Sequence, residues 1–357
     1  MSWETVCATG VVLATSFMPR VLTAQTVVST VAVGDIPIAV AVNPALKKIY
    51  VLNHGSNSVT VVDGATGATS SLNVEDRPEA VAVNPVTSRV YVTNAGADSV
   101  SVIDGPANVI LATVHVGSYP QAMVVNSATN KIYVANNFGH SVTVIDGATN
   151  AIATIQVGQG PRGIALNAKT NKIYTVNYGS QDVTVIDGAT GATTAVPIGK
   201  HPWAIAVDDK ADKIYAVSED SASVTIVQGA TNAATTVGVG AIPFAVEVNP
   251  AERKAYVLSY GDNTMAVVDG ATDSVSKTVA LGTHPQAIAI DEQSNQIYVA
   301  NQSTASVAVI DGKTDLSAAK VSTGTIPFAF AIDPLTHLIY VANYGSNNVT
   351  VIRGVAR

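Results

Sequence analysis

The sequence predicts an all-β protein, a single closed β-propeller of eight four-stranded blades. Three observations carry this: landmark residues recurring at a fixed spacing, short apolar runs separated by turn signals, and chain ends that complete each other. The first landmark is a (K)-I-Y-V-x-N element whose tyrosine falls at Tyr50, Tyr91, Tyr133, Tyr174, Tyr215, Tyr256, Tyr298 and Tyr340, every interval being 41 or 42 residues. A repeat proline, usually within Pro-x-Ala, keeps the same rhythm at Pro37, Pro78, Pro120, Pro161, Pro202, Pro243, Pro285 and Pro327. A V-T-V-I-D-G-like element ends on Gly64, Gly105, Gly147, Gly188, Gly229, Gly270, Gly312 and Gly354. Periods of this size mark solenoids, propellers or arrays.

Within the third copy the runs are Ala122–Val125 (strand A), Lys131–Ala135 (B) and Ser141–Ile145 (C), with Ile110–Val116 before them as the incoming strand D. Their alternating or continuous apolar character reads as strand. Asn126 and its followers turn A into B, residues 136–140 turn B into C, and Asp146-Gly147-Ala148-Thr149 opens the C–D connection. Four antiparallel strands per unit without helices is the propeller signature. Thr26–Val33 is a D strand with no A, B or C before it, and Pro327–Ile352 supplies A, B and C with no D. Together they make one blade and close the ring, which removes open sheet edges. Eight blades follow; seven would require one copy outside the ring.

Composition agrees. Of 357 residues, 47% are apolar and 13% charged, which supplies a core and argues against disorder. A net charge of −7 without any basic block removes the electrostatic footprint that nucleic acid or an anionic membrane surface needs. The single cysteine, Cys7, lies in an N-terminal segment unlike the rest, so the body has neither disulfides nor thiolate metal sites. Residues 1–25 read as a secretory signal peptide and 26–357 as the propeller. The apolar run Val6–Met18 is too short to span a bilayer, and Leu22-Thr23-Ala24 offers a cleavage context. Against this, Glu4 occupies the place of a positive charge and Arg20 follows the run; an uncleaved extension is the alternative. The expected product is extracytoplasmic, monomeric and without a membrane span.

Tyr91-Val92-Thr93-Asn94, set within N-P-x-T-x-x-x-Y-V-T-N, and the V-I-D-G-A-T of Val144–Thr149 resemble the YVTN-repeat propellers of microbial surface-layer and secreted proteins. The resemblance covers about residues 26–354. It implies extracytoplasmic, adhesive or binding roles and brings no catalytic residues, because the motif is structural. Seven blades are familiar in that family, so eight copies depart from it.

The motif residues have physical work to do. The tyrosine offers a large flat surface for packing between blades and a hydroxyl for a polar partner. Strand-A alanines such as Ala39, Ala41, Ala80 and Ala82 are small where blades converge on the axis. Asp63 and Asp146, before glycine, accept turn N–H groups.

Function is expected where copies differ. The D–A and B–C turns share one face around the channel mouth, and repeat proteins concentrate variation on a binding face. Residues flanking the repeat proline are Ile36/Ile38, Arg77/Glu79, Tyr119/Gln121, Gly160/Arg162, His201/Trp203, Ile242/Phe244, His284/Gln286 and Ile326/Phe328. This makes blades 6, 8 and 1 apolar and blades 2 to 5 polar, a mouth suited to an amphipathic ligand or peptide. The B–C loops add His54, Phe138, His140, Tyr178, Glu219, Asp220, Tyr260, Asp262 and Tyr344. Arg77, Tyr119, Arg162, His201, Trp203, Phe244, His284 and Phe328 are the binding candidates, for a protein or glycan partner. Aromatic rings there can stack on sugars or anchor a protein; they can equally do no more than cover blade edges.

Glu247 stands where the other copies carry Ala or Val, so its carboxylate must be solvated, paired or protonated. With His201 and His284 it is the candidate set for an enzyme alternative, a lactonase- or lyase-like propeller. No cofactor is expected. A divalent cation belongs only to that alternative, since no ligand spacing accompanies the histidines. A third reading is a structural unit of a cell-surface layer.

Overall fold

The computed structural model describes Gln25–Gly354, and the expected signal peptide lies outside the described residues apart from Gln25. Eight four-stranded antiparallel sheets are present, each in the order A-B-C-D. In blade 3 the strands are Pro120–Asn126, Lys131–Asn136, Ser141–Asp146 and Ile152–Gln156. Blade 8 combines Pro327–Ile332, Leu338–Asn343 and Asn348–Arg353 with Thr26–Ala32 from the other end of the chain. That strand pairs Thr30 with Thr350 and Ala32 with Asn348, after a bulge between Val27 and Ser29. The eight-bladed ring expected from the chain ends is the one observed.

A strands line the axis, each beside the A strands of its two neighbours, and the last blade's lies against the first's. D strands form the outer rim and are mostly exposed. Strands A, B and C carry the apolar surface, and because strand residues alternate between faces, each sheet packs on both neighbours. The core is accordingly a set of wedges between blades. Tyr50, Leu52, Val59 and Val61 of blade 1 meet Val90, Val92 and Ile103 of blade 2. Ile49, Val51 and Val62 meet Tyr340, Val349 and Val351 where the ring closes.

Each element of the repeated motif has a partner across or within blades. The motif tyrosines are at most 4% exposed. The Tyr50 hydroxyl donates to Gly105 O of the next blade (3.4 Å), and burial pushes its pKa up to about 12. Those of Tyr133 and Tyr215 are buried without a hydrogen-bond partner, so packing rather than polarity keeps tyrosine there. The basic residue two positions earlier clamps the same junction. Lys48 Nζ donates to Gly105 O (2.6 Å), and Lys213 Nζ to Gly270 O (2.6 Å) and Asp273 (2.6 Å).

In blades 1 to 4 and 8 the terminal asparagine staples strand B to strand C, whereas Asn301 of blade 7 bonds to Val299 O within its own strand. Asn94 Nδ2 donates to Ser99 Oγ (3.0 Å) and Ser101 Oγ (2.9 Å), and Asn136 does the same to Ser141 and Thr143. A Cβ at Gly117, in the D–A turn, would lie 2.6 Å from Asn136 Nδ2, which accounts for that repeated glycine. Asp63 and Asp146 accept the expected turn bonds, from Thr66 N–H (2.8 Å) and Thr149 N–H (2.9 Å). These bonds hold both carboxyls below the usual carboxylate range. Among the described residues no helix is long and apolar enough to cross a membrane.

Candidate functional site

The D–A and B–C turns are tied together in every blade by one backbone bond. The residue before the repeat proline accepts from the first residue after strand B, as in His54 N–H to Ile36 O (2.9 Å), Tyr178 to Gly160 (2.9 Å) and Glu219 to His201 (3.1 Å). The two sets of turns therefore share one end of the ring.

The residue before proline is left-handed in all eight blades. Ile36, Arg77, Tyr119, His201, Ile242, His284 and Ile326 have φ between 51° and 57°, and Gly160 has 67°. A β-branched side chain at positive φ is a genuine outlier, costing roughly 1–2 kcal/mol, and the position before proline normally favours extended backbone. Glycine would remove that cost, yet only one copy uses it. The sequence carries no mark of this conformation, which turns seven side chains out onto the face.

Of the eight binding candidates, five join one assembly. The Arg162 guanidinium lies 3.9 Å from the Trp203 ring centre and 4.6 Å from that of Tyr178. Tyr178 stacks on His201 at 4.4 Å and 10° between planes, and Trp203 leans on Phe244 at 5.0 Å. Phe244 lies 6.5 Å from Tyr260, which stacks on His284 at 4.4 Å and 9°. Seven half-buried side chains from blades 4 to 7 thus form a ladder along the mouth. It crosses the boundary between the polar and apolar arcs expected from the sequence, because Trp203 and Phe244 connect them. Tyr178 and Tyr260 complete the ladder. A rule explains them: the first residue after strand B meets the residue before proline of the following blade, so Tyr178 meets His201 and Tyr260 meets His284.

The other three candidates sit elsewhere on the face. Arg77 lies over the Tyr119 ring (5.6 Å) and donates to its hydroxyl (3.3 Å), while Tyr119 packs on Phe138 (4.5 Å). Phe328 packs on Tyr344 (5.7 Å) beside a cavity of about 390 Å³ that Gln302, Ser303 and Ile326 also line.

Electrostatics distinguish the groups. Arg162 makes no hydrogen bond or ion pair with the described residues, and burial lowers its pKa. His201 Nδ1 instead pairs with Asp220 (2.5 Å), and His284 Nδ1 with Ser303 Oγ (2.7 Å). Glu79 is pushed up by burial, opposed by His54, Arg77 and Tyr119 around it.

The structure separates Glu247 from the two histidines. It lies opposite Tyr256 in blade 6, four residues beyond Pro243, or roughly 13 Å at about 3.3 Å per residue. Its side chain is open to the channel, whose surrounding protein still strips part of its hydration and pushes its pKa up to about 7; Glu292, in the A–B turn of blade 7, adds to this. Glu247 thus belongs to the far half of the channel.

This geometry recurs in known structures as a fold. Hydrazine synthase from Kuenenia stuttgartiensis is 21% identical, with a TM-score of 0.64 over 90% of this chain and 96% of that one. The dihydro-heme d1 dehydrogenase NirN, solved in complex with DHE, is 12% identical, with a TM-score of 0.74 over 92% and 76%. Saccharomyces cerevisiae Sqt1 is 9% identical, with a TM-score of 0.79 over 94% and 100%. No family model and no curated relative matches the chain. The likeness is one of architecture. At these identities it transfers no site residue.

Chemically, the ladder offers a contact surface. Its histidines are engaged by Asp220, Ser303 and tyrosine rings, and its aromatic groups offer apolar contact at low entropic cost. Among the described residues no three His, Cys, Asp or Glu side chains converge as a metal-holding group.

Proposed function

We propose that this chain is an exported, non-catalytic propeller that binds a protein or glycan partner through its D–A/B–C face. The observation carrying this is the ladder from Arg162 through Trp203 to His284, a contact surface that depends on departures from the repeat. Export is supported by the leader-like sequence before Gln25 and by the resemblance to YVTN-repeat propellers.

The test is a binding screen on protein and glycan arrays, followed by comparison of the native chain with Trp203→Ala/Phe244→Ala. The double variant is expected to keep its fold, by circular dichroism and thermal unfolding, while losing at least about tenfold in affinity. Unchanged affinity for the selected partner would refute the assignment of the face.

Glu79 favours a second reading, an enzyme working from the same mouth. Its carboxyl is held up by burial beside His54, Tyr119 and Arg77, the pattern of a general acid. Turnover in a lactone and glycan substrate screen, abolished by Glu79→Gln, would establish it. Absence of turnover would leave the binding role.

A further inference from the structure

We propose that the pocket around Arg162 receives a carboxylate from an acidic peptide segment of the partner. This rests on the reading of the D–A/B–C face as the binding surface and names the chemistry it recognises.

Arg162 follows the repeat proline in blade 4, where other copies carry Ile38, Glu79, Gln121, Trp203, Phe244, Gln286 and Phe328. Its guanidinium is fixed between two rings contributed by different blades, Tyr178 of blade 4 and Trp203 of blade 5. Such a clamp holds the planar cation in place and removes most of the rotamer entropy that a flexible arginine loses on binding. Its N–H groups nonetheless have no acceptor among the described residues, although burial already disfavours the charge. A half-buried, oriented cation without an acceptor is an incomplete ion pair. A ligand oxygen completes it.

The surroundings select among anions. Glu219 is near enough to influence Arg162 without bonding to it, and Asp220 pairs with His201 alongside. A cation with the Glu219 carboxylate already within reach favours a ligand group with a single charge; phosphate would place two negative charges beside that carboxylate. A carboxylate matches the guanidinium fork with two parallel hydrogen bonds.

The same geometry argues for peptide over sugar. Sugar stacking needs a free ring face. At the clamp, Tyr178 has His201 stacked on it and Arg162 over its ring, and Trp203 has Arg162 over it and Phe244 against it. The Ile242 side chain on the same face, 41% exposed, is open to apolar side chains of the peptide.

The test uses the full chain carrying Trp3→Phe, which leaves Trp203 as its only tryptophan and places a fluorescent reporter at the clamp. Peptides selected from a random phage-displayed library are synthesised as native acids, as Asp→Asn or Glu→Gln isosteres, and as C-terminal amides. The selected peptides are expected to be acidic, and neutralising one carboxylate to weaken binding by about 10–100-fold. The isostere and amide arms tell a side-chain carboxylate from a chain terminus. Arg162→Gln is expected to reduce the acid form to the level of its neutral counterpart and to leave the neutral one unchanged, a coupling that a merely structural arginine would not produce.

Equal binding of acid and neutral forms overturns the proposal, as does equal weakening of both by Arg162→Gln. Failure to select any peptide overturns it too, and so does Arg162-dependent binding confined to oligogalacturonate, a uronate glycan. If Trp203→Ala/Phe244→Ala, read by calorimetry, abolishes peptide binding while no Arg162 coupling exists, this inference fails and the assignment of the face survives. If that double variant binds the peptides normally, both fail.

Discussion

Blades 5 and 6 carry serine in place of the staple asparagine, and restoring it in blade 5 should stabilise the ring by an amount that the stapled blades 2 and 3 set in advance. Ser218 takes the place of Asn94 or Asn136, directly opposite Ser223 in the register. Ser218, Ser223 and Thr225 are at most 4% exposed, and the Oγ atoms of Ser218 and Ser223 have no hydrogen-bond partner. In blade 2 the corresponding amide bridges Ser99 and Ser101 at 3.0 and 2.9 Å. Ser218→Asn should make both bonds, since Gly199 leaves the same room that Gly117 leaves for Asn136. Two buried neutral hydrogen bonds contribute about 0.5–1.5 kcal/mol each, and one stranded hydroxyl is satisfied in addition. Ordering the longer side chain offsets part of this, so the net gain is about 1–2 kcal/mol. Urea unfolding followed by circular dichroism should show a higher midpoint at unchanged slope. Asn94→Ser should produce the opposite shift. A Ser218→Asn midpoint equal to or below the native one would refute the assignment of the asparagine as a staple.

Lys213→Met removes the clamp on Gly270 and Asp273 across blades 5 and 6. It should cost about 1.5–3 kcal/mol by the same unfolding assay. A chain beginning at Gly34 lacks the strand that completes blade 8 and leaves the Asn348–Arg353 strand as an open edge; size-exclusion chromatography should show more association than for the native chain. Glu247 gives a pH signature. Its carboxyl binds a proton up to about pH 7 when folded, against 4.5 ordinarily, so the folded state holds more protons between those values. Its favourable contribution is complete below pH 4.5 and is lost as pH rises through 7. Glu247→Gln should therefore gain stability relative to the native chain across that window, with a constant gain above it; a pH-independent difference would contradict this.

The ring was legible because its determinants are local and repeated. Tyrosine, proline and the Asp-Gly turn mark the strands within one period, and the unmatched strand at Thr26 announces the closure. The face was legible for the same reason, since strand order places the D–A and B–C turns together. The ladder was only half legible. His201, Trp203, Phe244, His284 and Arg162 stand out as departures from the repeat, but their contacts are made between blades. Tyr178 reaches His201 only because a left-handed residue before proline directs the histidine outward, and nothing in Lys200-His201-Pro202 marks that turn. The depth of Glu247 relative to the histidines was not legible for a related reason. A strand-A position tells which blade a residue occupies, whereas its depth along the axis follows from the register with Tyr256.

Hydrogen exchange with and without a saturating selected partner tests the central claim most directly. Protection is expected to concentrate in residues 159–163, 178–180, 200–204, 241–245, 260–263 and 282–286, the turns that carry the ladder. Protection confined to the A–B and C–D turns at the other end, or to the outer D strands, would contradict the account.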